Sequence, residues 1–346
     1  MCGAGRSTDF YLSRRVAMLR PKNNQSSLQG RWTVPKVQYC ALRRATMGKM
    51  SSAEFTPQGG PGQVVAGGTM KVRILRTGVE PQVQREDRVA VEAPLEYMLH
   101  HPALGIEPVS FGTTMRTPGD DEFLAAGLLY GEGLVNGVTD IEAIESSTRR
   151  PNVVNVRLNP GVQMEMQMAT RRFSAGSSCG VCGTTGLDAA IARAAATRVA
   201  DTGPIELDLL LRLPDLMRTG QSKFGDTGGI HAAALFDFSG NLITLAEDVG
   251  RHNAVDKLVG ENLLAGRLPL REHILLLSGR ASFELVQKAL RTGVAVVAAI
   301  GAPSSLAVNL AVAANLTLVG FLRQKHCNVY SGPQRLHPVH AWLNEG

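Results

Sequence analysis

From His231 onward, short apolar runs alternate with helix-like stretches, and this alternation constrains the fold more than any other feature. HAAALFDFSGNLITLAED reads as two strands around a turn. Then come a helix over 252–264, a strand over 273–277, a helix over 283–291, a strand over 294–299, a helix over 304–314 and a strand over 316–321. Strands separated by single helices predict a layered α/β sheet with parallel neighbours, since a parallel strand needs a crossover to bring the chain back. Open sheets of this kind bind ligands where strand C-termini meet helix N-termini.

Residues 70–170 read differently, as an α+β half. KVRILRT begins the ordered chain and RVAVEAPLEYMLH alternates as a strand does. In TPGDDEFLAAGLLYGEGLV acidic residues precede Phe123, Leu124, Leu128 and Leu129, the pattern of an N-capped amphipathic helix. VVNVRL and VQMEMQM flank NPG, and Val162, Met164, Met166 and Met168 alternate with polar residues, which predicts a hairpin with a buried methionine face. A boundary near residue 170 separates this half from the α/β half. Residues 171–186 form a glycine-rich loop, and 187–346 begin with two helices, LDAAIARAAATRVA and ELDLLLRLPDLMR, the second kinked or split at Pro214.

The net charge of +6 belongs to one end. Residues 1–69 hold ten Lys/Arg against two Asp/Glu, whereas residues 70–346 hold 26 against 28. A nearly neutral body argues against nucleic acid as a partner. The basic segment shows no sustained period and ends in TPQGGPGQVVAGG, so a disordered extension is expected over 1–69. No apolar run reaches the roughly 18–20 residues that span a bilayer, and the opening residues lack a secretory core, so no membrane partner is expected. Five cysteines, three of them isolated (Cys2, Cys40 and Cys327), do not make a secreted disulfide framework; a reducing cytoplasm is expected.

Three strand-to-helix turns carry unusual composition. AEDVGRHNAVDK (246–257) supplies Arg251, His252, Asn253 and Lys257. SGRASFE (278–284) supplies Ser278, Gly279 and Arg280, with Ser282 placed to cap a helix, and GAPSSLAV (301–308) supplies Ser304. Each alone is ordinary capping; three on one sheet edge point to a phosphate-bearing ligand. Neither a G-x-x-x-x-G-K-[ST] loop nor a G-x-G-x-x-G fingerprint is present.

SSCGVCGTTG (177–186) places Cys179 and Cys182 among small residues. A structural zinc wants four ligands and no second pair exists, so no metal is expected. Zinc deaminase chemistry needs H-x-E, and the candidate histidine reads HAA (231–233). A thioredoxin-like pair caps a helix, yet here the helix starts only near Leu187. A mobile arm carrying two thiols remains, with two reduced cysteines in an ordinary loop as the plainer reading.

TPGDDEFLAAGLLYGEGLV, SSCGVCG, GGIHAAALFD, EDVGRHNAVDKLVG, SGRASFELVQKA, APSSLAV and LVGFLR, in this order over about residues 80–336, resemble the FdhD family of formate dehydrogenase accessory sulfurtransferases. The resemblance implies a homodimer whose three-layer C-terminal half is similar to the cytidine deaminase fold. It implies a sulfur carrier that takes sulfur from a cysteine desulfurase. The carrier delivers it to the molybdenum bis(molybdopterin guanine dinucleotide) cofactor before insertion into formate dehydrogenase. Carried over by position, Cys179 holds the persulfide and Cys182 assists. The family's cofactor segment, following the last strand, falls on Phe321, Leu322, Arg323, Gln324, Lys325 and His326. Two rival readings are a thiol–disulfide oxidoreductase and a non-catalytic cofactor chaperone.

Overall fold

The computed structural model describes residues 68–78, 83–163, 198–200 and 202–337. Two sheets organise them. The first has four strands in the order β4-β3-β6-β5, with β3 Ala93–His100, β4 Val109–Arg116, β5 Ile141–Ser146 and β6 Val153–Leu158. β3 and β6 run parallel, and the other two pairings are antiparallel. Helix α1, Asp121–Gly131, connects β4 to β5.

The second sheet has six strands in the order β13-β12-β11-β10-β8-β9. After β7 (Ile205–Glu206), which lies outside both sheets, these are β8 His231–Asp237, β9 Leu242–Asp248, β10 His273–Leu277, β11 Val296–Ala299, β12 Thr317–Arg323 and β13 His326–Ser331. Helices α4 (Arg251–Leu264), α5 (Phe283–Thr292) and α6 (Ser305–Ala313) join β9 to β10, β10 to β11 and β11 to β12. β10, β11 and β12 are mutually parallel, and all of Val296–Ala299 is buried, as expected of a strand covered on both faces. β8 is antiparallel to β10 and β9 antiparallel to β8, so β9 points the same way as β10, β11 and β12. Four strand C-termini therefore open on one edge. The mixed α/β architecture follows the alternation in the sequence.

The two sheets meet through α1 and α4. A methyl on Gly127 would collide with the Asp256 carbonyl, and one on Gly260 with the Phe123 carbonyl. Only glycine lets these backbones approach so closely. α1 is consequently enclosed rather than amphipathic, with Leu124–Gly127, Leu129 and Tyr130 all buried. Its N-terminal Asp120 has φ 58° and makes no side-chain cap; Asp121 instead pairs with the buried Arg116 at 2.8 Å.

Several local expectations change. RVAVEAPLEYMLH is broken at Val91 and Glu92: β2 (Val83–Ala90) pairs with β1 (Thr69–Arg76) in a separate ribbon, while β3 enters the four-stranded sheet. Of the hairpin expected across NPG, the first run is β6, whose neighbours are β3 on one edge and β5 on the other; Met164, Met166 and Met168 of the second run lie outside the described residues. Most of the helix expected over 187–200 also lies outside them. Pro214 does not split its helix: α2 runs unbroken over Leu207–Gly220, ahead of short α3 at Ser222–Thr227. The stripe Leu210, Leu213 and Met217 is fully buried, and each such side chain contributes about 1.5–3 kcal/mol. Together they offset the roughly 3 kcal/mol cost of an internal proline. Among the described helices, none is long and apolar enough to cross a membrane.

Candidate functional site

The sheet edge opens with the turn after β9, where Asp248 is completely buried. Its Oδ1 accepts from the Gly250 amide and the Asn253 side chain, both at 2.9 Å. Its Oδ2 accepts from the Thr117 amide at 3.1 Å and lies 2.8 Å from Lys257 Nζ. Lys257 also donates to the Thr117 carbonyl at 2.9 Å, and Asn253 to the Met115 carbonyl at 2.8 Å. Asn253 and Lys257 are therefore not ligand-facing, contrary to the reading of the turn. They are buried and spent on holding the end of β4 against α4. Glu247 is likewise engaged, accepting from the Lys223 and Phe224 amides at the start of α3.

Arg251 and His252 remain at the edge. The buried Nε of Arg251 has no hydrogen-bond partner among the described residues. His252 Nε2 lies 3.5 Å from Ser282 Oγ and 3.4 Å from Glu284 Oε2. Burial, helped by the charges of Lys288 and Arg251, lowers the His252 pKa to about 4, leaving a neutral imidazole at physiological pH. Burial raises the Glu284 pKa to about 7, Lys288 opposing and Asp256 and Glu132 reinforcing. Ser282 begins α5 without a side-chain cap, its hydroxyl turned to His252 instead.

The remaining turns are stitched together by backbone. Gly301 N donates to Gly279 O at 2.9 Å, Ser304 N to Ala281 O at 3.0 Å and Phe321 N to Gly301 O at 3.1 Å. A Cβ on Gly301 would sit 2.8 Å from Gly279 O, and one on Gly279 would press the His231 ring at 3.4 Å. Ser278 Oγ accepts from the Ala232 amide, and Ser304 Oγ from the Ala307 amide, capping α6. Arg280 is exposed.

The segment 321–326 does not follow the last strand. It is the end of β12 and the tight turn into β13, with Arg323 opposite His326. Phe321 takes φ 50°, an unusual backbone for an aromatic residue, and is 40% exposed. Leu322 is fully buried and is withdrawn from the ligand-facing set. Arg323 Nη1 donates to Ile300 O at 2.6 Å, and Gln324 Nε2 to Asp215 Oδ2 at 2.8 Å. Lys325 and His326 are exposed.

Arg251, His252, Ser278, Gly279, Arg280, Ser304, Phe321, Arg323, Gln324, Lys325 and His326 thus come to one edge. Cys179 and Cys182 lie outside the described residues. Two members of the edge were not singled out for this role. Glu284 reads in sequence as an ordinary first-turn acid, and His231 as a zinc-ligand candidate lacking its glutamate.

Residues 96–337 match the model of the FdhD/NarQ family. The sulfur carrier protein FdhD of Streptomyces avermitilis is 48% identical over 261 residues, covering 73% of this chain and 90% of that protein. The Mycobacterium tuberculosis protein of the same name is 42% identical, covering 76% and 97%. That of Sulfolobus acidocaldarius is 41% identical, covering 77% and 98%. A crystal structure of a candidate formate dehydrogenase accessory protein from Desulfotalea psychrophila superposes with TM-score 0.57 at 24% identity, over 78% of this chain and 98% of that one. The family match over residues 96–337, with these relatives over most of the chain, makes this chain a member of the FdhD/NarQ family.

Proposed function

We propose that the protein is a sulfur carrier: it accepts sulfur from a cysteine desulfurase as a persulfide on Cys179 and passes it to the molybdenum bis(molybdopterin guanine dinucleotide) cofactor, the substrate, before that cofactor enters formate dehydrogenase. The family match over residues 96–337, which spans the cysteine pair and the sheet edge alike, carries this reading. The names of the similar proteins support it. The guanine dinucleotides bring pyrophosphates, and Arg251, Arg280, Arg323 and Lys325 with three helix N-termini suit such anions. Phe321 offers an exposed ring for stacking.

In loading, the Cys179 thiolate attacks the outer sulfur of the desulfurase persulfide. The donor cysteine leaves as thiolate, and Cys179–S–SH forms. In delivery, the Cys182 thiolate attacks the inner sulfur of Cys179 and the terminal sulfur departs as hydrosulfide to the metal. The resulting Cys179–Cys182 disulfide is reopened by a thiol reductant, and a reducing cytoplasm suits this cycle. The same reading takes the six-stranded sheet as a cytidine-deaminase-like core and the working protein as a homodimer.

Intact mass spectrometry after incubation with a desulfurase and cysteine tests the central step. One added sulfur is expected on the wild type and none on Cys179→Ala. Formate dehydrogenase that stays fully active beside Cys179→Ser would remove the reading.

A further inference from the structure

Glu284 stands in the first turn of α5, where the helix dipole ordinarily favours an ionised carboxylate. Its surroundings oppose that. The side chain is 16% exposed, and Oε2 is buried without a hydrogen bond among the described residues. The nearest counter-charge, Lys288 on the same helix, is 3.8 Å from Oε1. Lys288 is already committed to Asp256 of α4, to which it donates two hydrogen bonds of 2.7 and 2.6 Å. Glu132, just past α1, adds a third carboxyl to the same buried ammonium. Three carboxyls share this one buried ammonium, with Arg291 also acting on Glu132 and Arg251 on Glu284, so the cluster favours a retained proton. Of the three, Glu284 is the one with an orphaned buried oxygen, Lys288 having given its hydrogen bonds to Asp256, and its pKa rises to about 7.

The ligand side of Glu284 is lined by the edge itself. His252 lies 3.4 Å away and is neutral above about pH 5, so it brings no charge to the window that matters. Arg251 is the one edge cation whose field lowers the Glu284 pKa. An anion docked on Arg251 cancels that field and adds negative charge of its own. Both changes favour the neutral acid.

We propose that Glu284 is a proton-linked residue of the sheet-edge site, and that docking of a phosphate-bearing ligand draws one proton onto its carboxyl. The inference rests on the nucleotide reading above and adds a regulation to it. By linkage, a ligand that raises the proton affinity of Glu284 binds more weakly once that proton is gone, so affinity falls as pH rises through neutrality.

Isothermal titration with GDP-mannose tests this, because its pyrophosphate diester does not titrate between about pH 6 and 8.5. The dissociation constant of the wild type is expected to rise about tenfold across that range, the change that accompanies a one-unit rise of the Glu284 pKa on docking. Glu284→Gln, which mimics the neutral acid in shape, is expected to bind with nearly constant affinity. Wild-type heats measured near pH 7.5 in two buffers of different ionisation enthalpy are expected to reveal proton uptake, a readout independent of any variant. Binding without pH dependence or proton uptake, or a Glu284→Gln slope equal to the wild type's, would overturn the proton link and leave the nucleotide reading standing. No binding at any pH would overturn both.

Discussion

His252 and Glu284 lie 3.4 Å apart and are displaced in opposite senses, one to about 4 and the other to about 7. Their effects on stability therefore oppose each other. A buried histidine with a lowered pKa binds fewer protons than in the unfolded chain, so from about pH 4 to 6.5 it makes stability rise with pH. A carboxyl with a raised pKa binds more protons than when unfolded, so from about pH 4.5 to 7 it makes stability fall with pH. Over their shared window the two slopes, each at most about 1.4 kcal/mol per pH unit, nearly cancel. Urea unfolding between about pH 4.5 and 6.5 should therefore be flatter for the wild type than for either single variant. Glu284→Gln is expected to grow more stable with rising pH, and His252→Gln less stable. Variants with parallel profiles would show that the two groups do not carry these shifts. The pair was not legible in the sequence, because His252 and Glu284 sit 32 positions apart and only the packing of α4 against α5 makes them neighbours.

At the level of elements, the crossing of α1 and α4 depends on two residues with no side chains. Gly127 and Gly260 each point at a backbone carbonyl of the opposite helix, and a carbonyl cannot swing aside as a flexible side chain can. Gly127→Ala or Gly260→Ala should cost about 3 kcal/mol or more in denaturant unfolding. Gly161→Ala, with nothing among the described residues within 4 Å of its new methyl, should cost little. A small loss at Gly127 would mean that the helices are not held at this distance. In sequence these glycines look like weak points of two helices rather than a contact. Periodicity served best where an element is buried by its neighbours in the chain: β10 appears over His273–Leu277 as expected, and α5 is extended by one residue. It failed where partners are remote. β6 alternates as a hairpin strand would, yet its neighbours are β3 and β5, fixed by pairings such as Glu96 with Val153 and Glu145 with Asn155. The register shift between Gly320 and Arg323 hid β13, since the chain turns there while it still looks like loop.

Across the whole molecule, the ligand edge of one sheet is positioned from the end of the other. The sequence reveals the edge, because Arg251, Arg280 and Arg323 occur in turns whose place is set by strand direction. It does not reveal which polar residues of those turns are free. Asn253 and Lys257 look as available as Arg251, but their partners Met115 and Thr117 lie about 140 positions upstream. Thr117 is the hinge pin of this arrangement. Fully buried, it gives its amide to Asp248, its carbonyl to Lys257 and its hydroxyl oxygen to the Val249 amide at 3.0 Å. Thr117→Val keeps the shape and the backbone bonds and leaves the Val249 amide unsatisfied. A loss of about 1–3 kcal/mol in stability is expected. Because Val249 immediately precedes Gly250 and Arg251, the same change should weaken GDP-mannose binding several-fold through misplacement of Arg251. The pH dependence of that binding should survive, since Glu284, Lys288 and Asp256 are untouched. If stability falls while affinity stays at the wild-type value, the first sheet steadies the fold without setting the site, and the two halves are coupled in folding alone.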